Sequence, residues 1–279
     1  MGPFISVVTV SLNAEATIED TIVSVFRQDA TFSVEHICVD GGSNDATRNI
    51  IDGCVGKGIP IQRIYEPDRG IFDAMNKGLR AARGEYVLFL NADDFLAAPN
   101  TLAMAMESLT PGSPRNPDLV VGNVSMGRLG RNGIWRHRRV PKLLGRLRGC
   151  GLFPVHQGQF TKRCLLEAVG GFNARLRLSS DVIQFYDLER KFRPSIRFVR
   201  ADVAFMRVGG ASNEGLRVMY FATVEFYKHL RSSYSSFRAT GMVIVKTLQS
   251  FMELRFGRCP HVRWFASAMG DSAASAMDA

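Results

Sequence analysis

An α/β fold built on a mostly parallel, twisted sheet flanked by helices is what this sequence predicts, and three observations predict it. Runs rich in β-branched residues alternate with helically periodic segments through residues 5–90. The spacing between runs suits strand–helix–strand crossovers rather than hairpins. Polar residues gather just after the strand-like runs, at the carboxyl edge where parallel sheets bind their ligands.

Taken in order, Ile5–Val10 is a near-continuous apolar run, the pattern of a strand covered on both faces. A polar turn follows, and Thr17-Ile18-Glu19-Asp20 reads as a capping box opening a helix with Ile18, Ile22, Val25 and Phe26 on one face. Glu35–Val39 is a second strand, ending on Asp40 and the Gly/Asn-rich stretch Gly41–Thr47. Ile61–Tyr65 is a third, and Ile71, Ala74, Met75, Gly78, Leu79 and Ala82 mark the face of the next helix. Tyr86–Leu90 is a fourth and runs straight into Asn91-Ala92-Asp93-Asp94. Leu119–Val124 and Ile196–Met206 are strand-like, with helical periodicity over Thr161–Val169 and Asp181–Lys191. Beyond Gly215 the chain reads as mainly helical, with Tyr220, Val224, Tyr227 and Leu230 on one face.

The 279 residues are 46% hydrophobic and 22% charged, which excludes disorder, collagen-like repeats and coiled coil as the main content. Five cysteines without a C-x-x-C spacing argue against a disulfide framework or zinc ribbon and for a reducing, cytoplasmic compartment. No basic region precedes the first apolar run, so the N-terminus reads as a strand rather than a signal peptide. No apolar stretch is long enough to predict a membrane-spanning helix. The net charge is +9, and eight positive charges lie in Arg128–Arg148, which has no Asp or Glu. Ile134, Trp135, Val140, Leu143, Leu144 and Leu147 interleave with them, a composition suited to an anionic membrane surface or a lipid-linked diphosphate. Without a nucleic-acid-binding motif, nucleic acid is not expected as a partner.

The G-x-G-x-x-G, P-loop, H-E-x-x-H and G-x-S-x-G motifs are all missing. What remains are carboxylates at strand ends. Asp93-Asp94 has the hard oxygens that hold Mg²⁺ or Mn²⁺ against a diphosphate, or else caps a turn. Asp40 suits hydrogen bonds from a base or ribose, or else caps the next helix; Asp68-Arg69-Gly70 offers a guanidinium for a phosphate, or else a surface turn. His156, beside Gln157, reads as a structural hydrogen-bonding histidine.

Taken together, ISVVTVSLN, ICVDGGSNDAT, YEPDRGIFDAMNKGLRAARGEYVLFLNADD and HQGQFTKRCLLEAVGGFNARLRLSSD resemble glycosyltransferase family 2, most closely its bacterial polysaccharide and colanic-acid-type members, over residues 4–190. The resemblance implies a GT-A (nucleotide-diphospho-sugar transferase) fold in residues 1–212; the helical periodicity beyond it reads as a C-terminal extension over 213–270, and the small, polar residues 271–279 as a disordered tail. The resemblance also implies a metal-dependent, inverting transferase moving a sugar from a UDP- or GDP-linked donor to a lipid-linked glycan acceptor in bacterial surface-polysaccharide synthesis. Val10, Ser11, Asn13, Asp40, Asp68, Arg69, Asn91 and Ala92 would line the donor site, and Asp93 would bind Mg²⁺ or Mn²⁺. Asn91 stands where the family's D-x-D motif has its first Asp. Asp181 falls at the catalytic base, although the spacing also admits Asp187. Gly209–Asn213 resembles a loop near the diphosphate. The expected location is cytoplasmic and peripheral on the inner face of the plasma membrane. Asn91 and the altered spacing leave a second reading, a nucleotide-sugar-binding or assembly subunit of the same fold without catalysis.

Overall fold

The computed structural model describes residues 2–107, 109–127, 136–138, 153–207 and 215–255. Three consecutive crossovers build its first half: β1 (Ile5–Ser11), α1 (Ile18–Phe26), β2 (Val34–Asp40), α2 (Thr47–Gly56), β3 (Ile61–Tyr65), α3 (Ile71–Ala81) and β4 (Tyr86–Phe89). Next come β5 (Phe95–Leu96), α4 (Thr101–Ala105), β6 (Leu119–Gly127), β7 (Arg136–Arg138), β8 (Gln159–Lys162), α5 (Arg163–Val169), α6 (Ser180–Phe192) and β9 (Ile196–Arg207). Helices α7 (Gly215–Ser233) and α8 (Ser236–Arg255) follow.

The strands form one nine-stranded sheet in the order β3-β2-β1-β4-β8-β6-β9-β5, with β7 paired on β6. The run β3-β2-β1-β4 is parallel, as its β-branched strands and intervening helices require. From β4 onward the sheet is mixed: β8 pairs antiparallel with β4 and β6, whereas β9 is parallel to β6. The two-residue β5 and three-residue β7 are too short to leave a periodic signal in sequence.

Alternation on β1 divides the core between the two faces of the sheet. Ile5 and Val7 pack with Tyr86, Leu88, Leu102 and Phe160, whereas Val8 and Val10 pack beneath α3 with Phe72, Met75 and Leu79. A side chain at Gly78 would meet Val8 Cγ1 at 2.2 Å, so glycine lets α3 lie directly on β1. The Asn76 side chain both donates to and accepts from the Phe172 backbone at 2.8 Å, tying α3 to the segment before α6. Thr17 caps α1 by position only: its hydroxyl donates to Ala14 O at 3.4 Å and no side-chain cap forms, so the capping box is not made.

Helices α7 and α8 share a core with α6, in which Val182, Ile183 and Tyr186 meet Phe226, Leu230, Ala239 and Met242. The buried stripe of α7 runs through Phe226 and Leu230; of the face expected from periodicity, Leu230 and Tyr227 reach this core, whereas Tyr220 is exposed. Among the described residues no helix is long and apolar enough to cross a membrane. The predicted boundary at 212/213, the basic segment apart from the backbone of 136–138, and the Gly209–Asn213 loop lie outside the described residues.

Candidate active site

Strand order reverses between β1 and β4, because β2 and β3 add on one side of β1 and β4 on the other. Such a switch point opens a crevice at the carboxyl ends of the strands. Ala92 N–H donates to Val10 O at 3.2 Å, and Gly41 N–H to Ser11 O at 3.0 Å, so the ends of β4, β1 and β2 stand side by side. That arrangement brings Val10, Ser11, Asn13, Asp40, Asn91, Ala92 and Asp93 to one edge.

At the carboxyl end of β2 the polar groups around Asp40 pair with one another. Asp40 has no exposed surface. It accepts from Ser11 Oγ at 3.2 Å, Gly42 N at 3.2 Å, Ser43 N at 3.0 Å, Arg48 Nε at 2.6 Å and the Ser43 hydroxyl. Burial opposes its charge, but the bonds from Ser43, Arg48 and Gly42 outweigh burial and hold the carboxyl below the usual range. Asp40 thereby shapes the loop itself, and a base reaches it only by displacing one of these partners. Asn13 takes a left-handed φ of 52° and accepts from Asn44 N at 3.0 Å, a conformation that Asn tolerates. The guanidinium of Arg48 also lies over the Tyr65 ring at 5.3 Å.

The β3 end closes on this loop. A Cβ on Gly41 would fall 1.9 Å from Asp68 Oδ2, so the Asp68 carboxylate rests on the glycine. Burial pushes Asp68 up despite the 2.9 Å bond from Gly70 N–H. Arg69 is 82% exposed and loosely paired with Asp73 at 3.6 Å, leaving its guanidinium free to swing.

On the β4 side the turn Asn91–Asp94 closes through a 3.0 Å bond from Asp94 N to Asn91 O. Asp94 is 2% exposed, with Oδ2 accepting from Gln157 Nε2 at 2.9 Å. Burial, then the neighbouring Asp93 charge, push Asp94 well above the usual carboxylate range, opposed by bonds from Gln157 and the Arg207 backbone. Burial also raises Asp93, with Arg207 and His156 opposing. Arg207, ending β9, pairs with Asp20 and lies over the Phe95 ring at 5.4 Å. A carboxylate pair kept uncomfortable in this way gains from a cation. The oxygens of Asp93 and the unpartnered buried Oδ1 of Asn91 are the hard donors Mg²⁺ or Mn²⁺ takes. Among the described residues no group of three or more His, Cys, Asp or Glu is poised around a metal.

Across the crevice, Asp181 sits in the first turn of α6, and its Oδ2 is 3.2 Å from His156 Nδ1. Burial pushes Asp181 up, but the His156 bond and charge, the Val182 N–H and the Lys246 charge together hold it below the usual range. His156 is therefore not an isolated structural histidine, the role its sequence context suggests. Glu225 of α7 accepts from the N–H groups of Arg177, Leu178 and Ser179 at 3.1, 3.1 and 3.2 Å, fixing the start of α6. Lys246 of α8 lies over the Phe226 ring at 4.8 Å, its charge disfavoured by burial and supported by Asp181 and Glu225. Asp187, the alternative to Asp181, instead meets His229 at 3.2 Å and Arg190 at 3.8 Å.

Six buried polar atoms around this crevice and the adjoining face of α6 have no partner among the described residues: Asn91 Oδ1, His156 Nε2, Gln157 Oε1, Asp181 Oδ1, Gln184 Nε2 and Arg207 Nε. Buried groups normally pair, so such a concentration marks a place where a ligand completes the bonding. Sequence reasoning missed Gln157, Arg207, Glu225 and Lys246. Lys246 left a faint signal, one charge within the apolar run Met242–Leu248.

The glycosyl transferase family 2 model matches residues 6–171. A PGL/p-HBAD biosynthesis glycosyltransferase of Mycobacterium bovis is 34% identical over 184 residues, 64% of this chain and 67% of that protein. An uncharacterized glycosyltransferase of Mycobacterium tuberculosis is 33% identical over 182 residues, and the match spans 64% of this chain and only 66% of the relative's length. Among solved structures, the Pyrobaculum calidifontis mannosyltransferase bound to GDP-Man and Mn²⁺ superposes with a TM-score of 0.61 at 20% identity, covering 99% of this chain and 81% of that one. Staphylococcus aureus TarS 1-349 bound to UDP-GlcNAc gives 0.57 at 20% identity, covering 91% and 73%. At these identities the structural likenesses speak for the fold. With more than half its length matched by the family model and its sheet shared with these GT-A structures, the chain belongs to glycosyltransferase family 2.

Proposed function

We propose that the protein is an inverting glycosyltransferase that uses Mg²⁺ or Mn²⁺ to move a sugar from a nucleoside-diphosphate donor, UDP- or GDP-linked, onto a lipid-linked glycan acceptor in bacterial surface-polysaccharide synthesis. The carrying observation is the cluster of unpartnered buried atoms between the Asn91–Asp94 turn and the start of α6. The donors bound by the TarS and mannosyltransferase structures support the nucleotide-sugar class.

The nucleoside lies at the β1–β2 edge, along Val10, Ser11, Asn13 and the loop organised by Asp40. The diphosphate passes Asp68 and the mobile guanidinium of Arg69 toward Asn91, Ala92 and Asp93, where Asp93 and Asn91 would hold the metal. Bound there, the cation supplies positive charge against the departing diphosphate. The base is centred on Asp181, facing the anomeric carbon from the far side, and a single displacement from that side inverts the centre. The unpartnered buried Oδ1 of Asp181 and the nearness of its partner His156 to Asp93 support Asp181 over Asp187.

Membrane docking is assigned to the basic segment Arg128–Arg148, with exposed Tyr220, Phe221 and Phe237 as apolar support. Of the Met242–Val245 stretch of α8, Met242 is buried against α6 and α7 and Ile244 is exposed. Replacing four of the segment's arginines by Ser should release the protein from anionic vesicles and leave donor binding intact.

A thermal-shift panel of UDP- and GDP-sugars with and without Mn²⁺ tests the core of this reading, since a ligand binding only the native state raises its apparent stability. A metal-dependent shift together with release of nucleoside diphosphate supports it. Binding without turnover favours the non-catalytic subunit, and no shift with any donor overturns both.

A further inference from the structure

Asp181 Oδ2 faces His156 Nδ1 at 3.2 Å, and the outer atom of each partner, Asp181 Oδ1 and His156 Nε2, is buried without a partner. An ionised carboxylate can only accept a hydrogen bond, so Nδ1 must carry the proton. In the neutral ring Nε2 is then a bare lone pair. We infer that the acceptor's proton is taken by His156 Nε2, with Asp181 fixing the imidazole's tautomer and orientation. This inference rests on the proposed transfer reaction and on the base being centred at Asp181.

Two arguments converge on the histidine. A carboxylate already engaged by a donor is a poorer proton acceptor than an imidazole held by a carboxylate, and the Asp–His arrangement serves as a base on unrelated folds for that reason. The groups around the pair keep Asp181 an acceptor: Lys246 on α8 faces it with positive charge, and Glu225 balances Lys246. In the step itself the acceptor oxygen bonds to the anomeric carbon as its proton passes to Nε2. The carbon–oxygen bond to the diphosphate breaks with its electron pair leaving on the nucleoside diphosphate. Asp181 stabilises the imidazolium until water removes the proton.

The test uses the full chain, Mn²⁺ and whichever UDP- or GDP-sugar it turns over, measuring nucleoside diphosphate released with water as acceptor. His156→Asn keeps an amide donor toward Asp181 but no base, and His156→Gln controls for misfolding; donor-dependent thermal shift confirms that each variant folds. Loss of turnover by about a hundredfold or more in both His156 variants and in Asp181→Asn supports the inference. His156→Asn retaining turnover within tenfold while Asp181→Asn loses it overturns the inference and leaves Asp181 as the proton acceptor. Unchanged turnover in all three overturns the catalytic reading of this wall altogether. A second readout needs no acceptor: nitrogen-15 NMR of the histidine ring should find the proton on Nδ1 in the wild type, and a resting proton on Nε2 would refute the assignment.

Discussion

The two walls of the crevice handle polar groups in opposite ways. At the β2 end, Asp40 is fully enclosed and each of its oxygens is paired. Across the sheet, Asn91, His156, Gln157, Asp181 and Arg207 all carry buried atoms without partners. Asp40 is held low by its donors, whereas Asp94 is pushed up by burial and by Asp93. The lesson is that a closed hydrogen-bond set holds its loop in shape, while an open one leaves buried polar atoms unpaired and carries a folding cost.

The sharpest break of this contrast is Asp93→Ala. Donor affinity measured with Mn²⁺ should fall by at least about a hundredfold, with little change in the absence of metal. Equal affinity with and without metal in the wild type would remove the cation from the open wall.

Asp40→Asn probes the closed wall next. It takes the charge partner from Arg48 and disturbs the bonds from Ser43 and Gly42, so denaturant unfolding should show a loss of about 1–3 kcal/mol. Its sign with pH follows from the depressed carboxyl. The stabilisation is complete above the unfolded value of about 3.9 and is lost as pH falls through the lower folded value. The variant should therefore show a shallower acid-side decline, and an unchanged slope would mean that Asp40 does not contribute as an ion.

Asp94→Asn should act in the opposite sense. Because the folded protein holds this proton more tightly, the ionised group subtracts stability as pH rises from about 3.9 through the folded value. In metal-free buffer near neutrality the amide variant should melt a few degrees higher than the wild type. A lower melting temperature would show that the Gln157 and Arg207 bonds outweigh the repulsion from Asp93.

The smallest effect belongs to Gly41→Ala. The added methyl would collide with the Asp68 carboxylate, a side chain able to swing away. Donor affinity should fall by less than about tenfold with stability nearly unchanged. A loss of several kcal/mol would mean that the two loops cannot separate.

Much of this was legible in advance, for reasons specific to particular residues. Ile5–Val10 and Tyr86–Leu90 are apolar on both faces, and only a central strand between helix layers has a use for that. The carboxyl-edge carboxylates were visible because each directly follows such a run. Thr17 misled because a capping motif competes with tertiary contacts, and its hydroxyl turned back to Ala14 instead. Tyr220 misled because helical spacing marks a stripe without saying which neighbour covers it.

The sequence by itself determined the parallel crossovers, the strand-end loops and the motifs that mark the family, since these depend on local pattern and short separations. Only the tertiary structure decided the partners. Asp181 and His156 are 25 residues apart, Gln157 and Asp94 are 63 apart, and Arg207 reaches Asp20 from 187 residues away. Glu225 and Lys246 reach the site from helices outside the motif-bearing segment. Pairings at such distances are set by how sheet and helices pack, and no local periodicity encodes them. The same packing leaves buried polar atoms open at the Asn91–Asp94 and α6 wall and closed around Asp40.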